Sequence, residues 1–236
     1  MSASNIIRRL KSVGTPEKAK VLSGFFKTGR GQYGEGDVFL GVTVPEQRAI
    51  AREFRDLPLS EIETLLSTRY HEARLTGLLM LTYSYERADE DERKTIYDFL
   101  LVHRRAMNNW DLVDVIVPKI IGEYALTHRN SRKLLRKFAK SDDLWERRMA
   151  IVSTAAFIRA GQFDDTLSIC ESLLGDPHDL IHKATGWMLR EVGKRDESVL
   201  RAFLDEYSVR MPRTMLRYAI ERLPKKERIR YMRMKT

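Results

Sequence analysis

An all-α fold of stacked antiparallel helix pairs is what this sequence predicts, and three observations carry the prediction. Strand-like alternation of apolar and polar residues is nearly absent along the 236 residues. Apolar residues recur instead at i, i+3, i+4 and i+7, the pattern of a helix with one buried face. The segments also repeat. Second helices of successive pairs open near His71, Trp110, Trp145, Ile181 and Arg213, at intervals of 39, 35, 36 and 32 residues.

Taken in order, the N-terminal MSASNIIRRLKSVG has no apolar core and no small-residue cleavage site, so no signal peptide is expected. Gly29–Gly41 must be a loop, because the closely spaced glycines at 29, 31, 34 and 36 would ruin any helix. Arg30 and Tyr33 lie among those glycines, where they could touch a ligand or simply move. Downstream, turns recur at Leu57–Ser60, Ala88-Asp89, His128–Ser131, Lys140–Asp143, Ala160-Gly161, Gly175–Pro177 and Leu223-Pro224. Several offer Ser, Asp or Asn as helix N-caps. Between them run apolar stripes such as Leu134, Leu135 and Phe138, and Met149, Ile151, Ala155, Ala156 and Ile158. Short helices joined by short turns pack as antiparallel hairpins. Their spacing approaches the roughly 40-residue period of HEAT-like repeats, so a superhelical solenoid is expected. Its second helices would line a concave face open to an extended ligand. A globular helical bundle is the alternative. No compositional break marks a second domain, so residues 1–236 are read as one.

Charge narrows the choice of partner. Lys and Arg outnumber Asp and Glu by 42 to 33, a formal +9. A basic domain of this size attracts polyanions, nucleic acid foremost, although the same excess could serve only solubility. No apolar run reaches the roughly 18 residues that span a bilayer, and no membrane partner is expected. The single cysteine, Cys170, excludes an internal disulfide, suits a reducing cytoplasmic setting, and sits in a helical pattern as core. Neither a metal-ligand pattern nor a glycine-rich nucleotide loop is present, so no metal or cofactor is expected.

Reading the expected second helices for charge picks out Arg74, Asp114, Arg147, Arg148, Lys183, Arg190, Arg213 and Arg217, a basic row with Asp114 set in it. Asp114 is the residue to explain. It lies among Val113, Val115 and Ile116, where a charge is costly unless it faces a cleft or meets a cation such as Arg148. Trp110 is four residues earlier and shares its helix face. Asp111 suits the first turn of that helix, where a carboxylate stabilises exposed amides. Trp145 reads as core, and the Arg147-Arg148 pair should point at least one guanidinium outward. Gly186 costs about 1 kcal/mol within a helix, which suggests close approach of a helix or ligand beside Trp187. By itself Trp187 reads as core.

Three blocks, NWDLVD followed by VP, LWERRMAI and KATGWMLRE, resemble in order and separation the AlkD-like DNA alkylation repair glycosylases. FLGVTVPEQR at 39–48 resembles an early segment of that family, and the glycine-rich loop before it looks like an insertion. The resemblance is weakest over the first 25 residues. It implies a superhelix of HEAT-like repeats whose basic concave face grips duplex DNA, and hydrolysis of the N-glycosidic bond of N3- or N7-alkylated purines without base flipping. It implies catalytic roles for Asp114 beside the lesion's deoxyribose and for Trp110 and Trp187 lining the lesion site, with Arg148 a phosphate contact. Asn109 stands where some relatives carry a second tryptophan. Arg147, Lys183 and Arg190 complete the expected DNA-binding set. A nucleoid-associated monomer is expected.

The chemistry is self-consistent. A cationic alkylated purine leaves without protonation, so the usual carboxylate pair is unnecessary. One carboxylate can stabilise the oxocarbenium-like sugar and orient water. Tryptophan faces add about 0.5–2 kcal/mol each by cation–π attraction. Two other readings compete: a non-catalytic module binding distorted or branched DNA, which would not need Asp114, and a protein-interaction module, which would need neither it nor the basic face.

Overall fold

The computed structural model describes residues 1–234 and is all-α; among them no β-strand forms, only an isolated parallel bridge between Val38 and Tyr70. Two compact units, Met1–Leu112 and the chain from Val113 onward, divide it. The division falls inside a helix rather than at a linker, which is why composition gave no sign of it.

In the first unit, helices α1 (Ala3–Val13), α2 (Pro16–Phe25), α3 (Val44–Glu53), α4 (Leu59–Leu66), α5 (His71–Arg87) and α6 (Glu90–Val102) precede the start of α7 (Trp110–Ile116). α5 is the hub, packed by α1, α3, α4 and α6. It is buried on nearly every side, from His71 through Thr82, so it lacks the one-faced pattern of its neighbours. The glycine-rich stretch is a loop, as its composition requires, with positive φ at Gly31, Gly36 and Gly41. It is firmly tied down. The buried Glu72 carboxylate accepts the backbone N–H groups of Leu40, Gly41 and Val42, and Val38 exchanges backbone hydrogen bonds with the Arg69–His71 segment.

The second unit contains the rest of α7, a π-turn at Pro118–Gly122, and α8 (Glu123–Thr127), α9 (Arg129–Phe138), α10 (Leu144–Ser153), α11 (Ala155–Arg159), α12 (Asp164–Ser172), α13 (Asp179–Arg195), α14 (Glu197–Tyr207), α15 (Arg213–Ala219) and α16 (Lys225–Arg233). Pro118 has no N–H to return to the carbonyl of Asp114, so the α-helical ladder breaks there into the wider turn. α13 is the hub, packed by α10, α11, α12, α14 and α15. At the α13–α15 crossing a Cβ on Gly186 would lie 2.4 Å from the Met215 carbonyl oxygen. A neighbouring helix therefore accounts for the glycine. Cys170 is wholly buried, and burial pushes its thiol far above the ordinary range. Among the described residues no helix is long and apolar enough to cross a membrane.

Candidate functional site

Trp110 opens α7 in the first unit. Asn109, wholly buried, fixes the entry: its Oδ1 accepts the Trp110 N–H at 2.9 Å. The half-buried Trp110 ring stacks on Phe26 at 5.1 Å between centroids and meets the exposed Phe25 edge-on at 5.8 Å. Behind it, Phe26 stacks on Phe39 at 5.1 Å and Phe39 on His71 at 4.4 Å. The indole thus caps a column of rings that ends in a buried imidazole.

That imidazole has carboxylates on both nitrogens. His71 Nδ1 lies 2.9 Å from Asp37 Oδ2 and Nε2 lies 2.8 Å from Asp111 Oδ2. Arg74 donates to Asp37 Oδ1 at 2.6 Å and to Asn108 Oδ1 at 2.9 Å. Asp111, assigned from sequence to the first-turn amides, points inward at His71 instead. Sequence reasoning missed this cluster, because its members are 34 and 40 residues apart and only the fold joins them.

In the second unit Asp114 meets Arg148 through a two-pronged pair: Nε to Oδ1 at 2.8 Å and Nη2 to Oδ2 at 2.7 Å. A charge among valines has found its cation. Arg148 Nη1 also donates to the Leu180 carbonyl at 2.5 Å, anchoring α10 to the start of α13. Three of the five guanidinium N–H groups are thereby engaged. The expectation that Arg147 or Arg148 points outward fails. Arg147 donates to Asp176 at 2.6 Å and to the carbonyls of Ser141 and Asp142, and its side chain is 15% exposed against 6% for Arg148. Both are drawn in by acceptors that a count along one helix does not include.

Most of the basic row also meets acceptors within the protein. Arg74 pairs with Asp37, Lys183 with Asp179 at 2.7 Å and Arg190 with Glu221, while Arg213 donates to the Met232 carbonyl. Asp114 is therefore not a lone acid in a basic row: Glu72, Asp111, Glu146, Asp179 and Glu191 stand on the same helices, and most of the cations meet an acceptor. Lys183 keeps a side chain 41% exposed; Arg190 is 20% exposed. Trp187 is half-buried rather than core, and its indole N–H donates to Glu191 at 3.2 Å. Glu191, in turn held by Lys194 at 2.7 Å, is a second residue the sequence did not single out. Trp145 is also half-buried, not core.

The all-helical fold has a solved counterpart. A structure described as "Predicted DNA alkylation repair enzyme from Enterococcus faecalis" superposes with a TM-score of 0.71 over 90% of this chain and 97% of its own, at 20% identity, which establishes the shared fold. No curated protein sequence matches. The profile of the DNA alkylation repair enzymes matches residues 6–223, and the chain belongs to that family. Its role is therefore in repair of alkylated DNA.

Proposed function

We propose that the chain is a monofunctional DNA glycosylase that hydrolyses the N-glycosidic bond of positively charged N3- and N7-alkylated purines in duplex DNA. The observation that supports it most is the Asp114–Arg148 pair: a carboxylate held by both oxygens, on the helix that Trp110 begins. As the bond to a cationic base stretches, positive charge develops on the sugar. A preplaced carboxylate stabilises that charge without reorganising, and orients the water that attacks the anomeric carbon. The electron pair of the bond leaves with the base, which becomes neutral, so no general acid is required. Trp110 and Trp187, both half-buried, offer faces to the sugar and the cationic base. Neither needs a closed pocket, which suits excision without base flipping and tolerance of bulky adducts.

Arg148 acts in two states on this reading. In the free protein it satisfies Asp114; beside DNA a phosphate provides a competing anion, and the carboxylate's charge is released towards the sugar. Lys183 and Arg190 supply further phosphate contacts. Arg147, engaged with Asp176 and two carbonyls, supports the turn before α10.

Release of 7-methylguanine from methylated duplex DNA, by the natural protein and by Asp114→Asn, tests the reading. Release by the first and loss in the second is expected. Equal rates would remove Asp114 from the chemistry, and no release by the natural protein would favour a module that binds damaged DNA without cutting it. Uracil and hypoxanthine, which leave as poorer groups, should stay in place.

A further inference from the structure

We propose that Asp37, His71 and Asp111 form a positioning device that sets Trp110 at the lesion surface, with His71 as a positioning residue whose proton the device requires. The inference rests on the glycosylase reading for its consequence in catalysis, and on geometry for everything else. Both ring nitrogens of His71 lie within 2.9 Å of carboxylate oxygens. A neutral imidazole has one N–H and one lone pair, so it would turn the lone pair on one carboxylate; only the imidazolium satisfies both. His71 and Asp37 are each 1% exposed at the side chain, and Asp111 is 10% exposed. Asp111 Oδ1 is buried with no hydrogen-bond partner, so in the interior this carboxylate depends on His71.

The groups that face His71 come from three segments. The glycine-rich loop supplies Asp37 and Phe39, the start of α7 supplies Asp111, and α2 with its following residue supplies Phe26. On α5 itself, Arg74 pairs with Asp37, and Glu72 turns away to the amides of Leu40–Val42. Two anions and two cations balance in the buried cluster. Burial opposes the charge on His71, but its hydrogen bonds to Asp111 and Asp37 outweigh this and hold its pKa above the ordinary histidine value.

The cluster bears on Trp110 by two routes. Asp111 is the next residue of the same helix, and Asp37 also accepts from Asn108 and Asn109, which set the helix entry. The ring column from His71 through Phe39 and Phe26 supports the indole from behind. Loss of the proton leaves one excess negative charge in the interior and frees the Asp111 end. The glycine-rich loop thereby gains a structural role, since it delivers Asp37 and Phe39 to the base of the column.

The test combines two readouts on the full chain. In the Trp145→Phe/Trp187→Phe variant, fluorescence comes from Trp110 alone, and its emission should titrate in parallel with the His71 ring resonances followed by NMR. Single-turnover release of 7-methylguanine by the natural protein should fall over the same pH range. His71→Gln should reduce the rate about ten- to a hundredfold, as misplacement of a lesion-facing group does, with DNA affinity unchanged. It should also lose that pH limb. Asp111→Asn, close in shape to the natural residue, should lose it likewise and serves if His71→Gln does not fold. Emission from Trp110 that ignores the His71 titration would overturn the device, even if the natural protein released no base and the glycosylase reading failed by itself. Unaltered pH profiles in both variants of an active enzyme would overturn it as well.

Discussion

Arg148 grips both carboxylate oxygens of Asp114 at 2.7–2.8 Å while its remaining amino group bonds the Leu180 carbonyl, so one guanidinium serves the candidate chemistry and the packing of α10 on α13. The two services can be separated by mutation.

Arg148→Ala removes the cation that grips a mostly buried carboxylate. The expected cost is about 3 kcal/mol, at the low end for a broken buried pair because Asp114 keeps some contact with water. Thermal melting should fall by about 10 °C in a chain of this size. Adding Asp114→Asn should restore part of that loss. If the double variant is as unstable as the sum of the singles, the pair contributes no coupling.

Binding to undamaged duplex should weaken steeply with salt, since phosphate contacts displace counterions. Lys183→Gln and Arg190→Gln should each reduce the slope of log affinity against log salt by about 1. Arg147→Gln should leave the slope alone and lower the melting temperature, because its partners are Asp176 and two carbonyls. A slope change for Arg147→Gln alone would return it to the DNA-binding set.

Gly186→Ala places a methyl 2.4 Å from the Met215 carbonyl oxygen and 2.6 Å from Tyr218 Cβ. Separation of α13 from α15 should cost about 1–3 kcal/mol, as overpacking generally does. Calorimetric melting measures it directly. Because Trp187 is the next residue, base release should fall as well. An alanine variant with unchanged melting would mean the crossing yields easily.

Stability should depend on pH in both directions. Asp37 has its pKa lowered: burial raises it, and His71 and Arg74 more than reverse that. Its contribution is present above about pH 4, the unfolded value, and is lost as pH falls through the lower folded value. His71 has its pKa raised, so its contribution is complete below about pH 6.5 and is lost as pH rises through the folded value. Melting temperature followed from about pH 3 to 10 should therefore show a plateau with two falling limbs. His71→Gln should remove the alkaline limb associated with this residue.

Much of the scaffold was legible because it is written locally. The openings expected near His71, Trp110, Trp145, Ile181 and Arg213 coincide within two residues with the starts of α5, α7, α10, α13 and α15. Caps and apolar periodicity act over a few residues, and the glycine-rich loop is enforced by backbone geometry. What stayed hidden depends on contacts 29 or more residues apart: Asp176 on Arg147, Asp37 on His71 and Arg74, Glu221 on Arg190. A residue's charge is visible in sequence, but the charge it meets is not. Asp111 is the sharpest case, since a helix-start aspartate has an adequate local explanation and the fold uses it for something else.

Gly186 has a consequence for how the chain can vary. At that point two helices touch through backbone and Cβ atoms, with no side chain between them to be resized in compensation. Where side chains fill a contact a rotamer can absorb a substitution; here, as at Gly122 against the Ser153 carbonyl, backbone itself has to move. A glycine of α13 thus sets the seat of that helix's largest residue, Trp187, and the freedom to reshape the proposed lesion surface there lies in the indole's neighbours rather than beneath it.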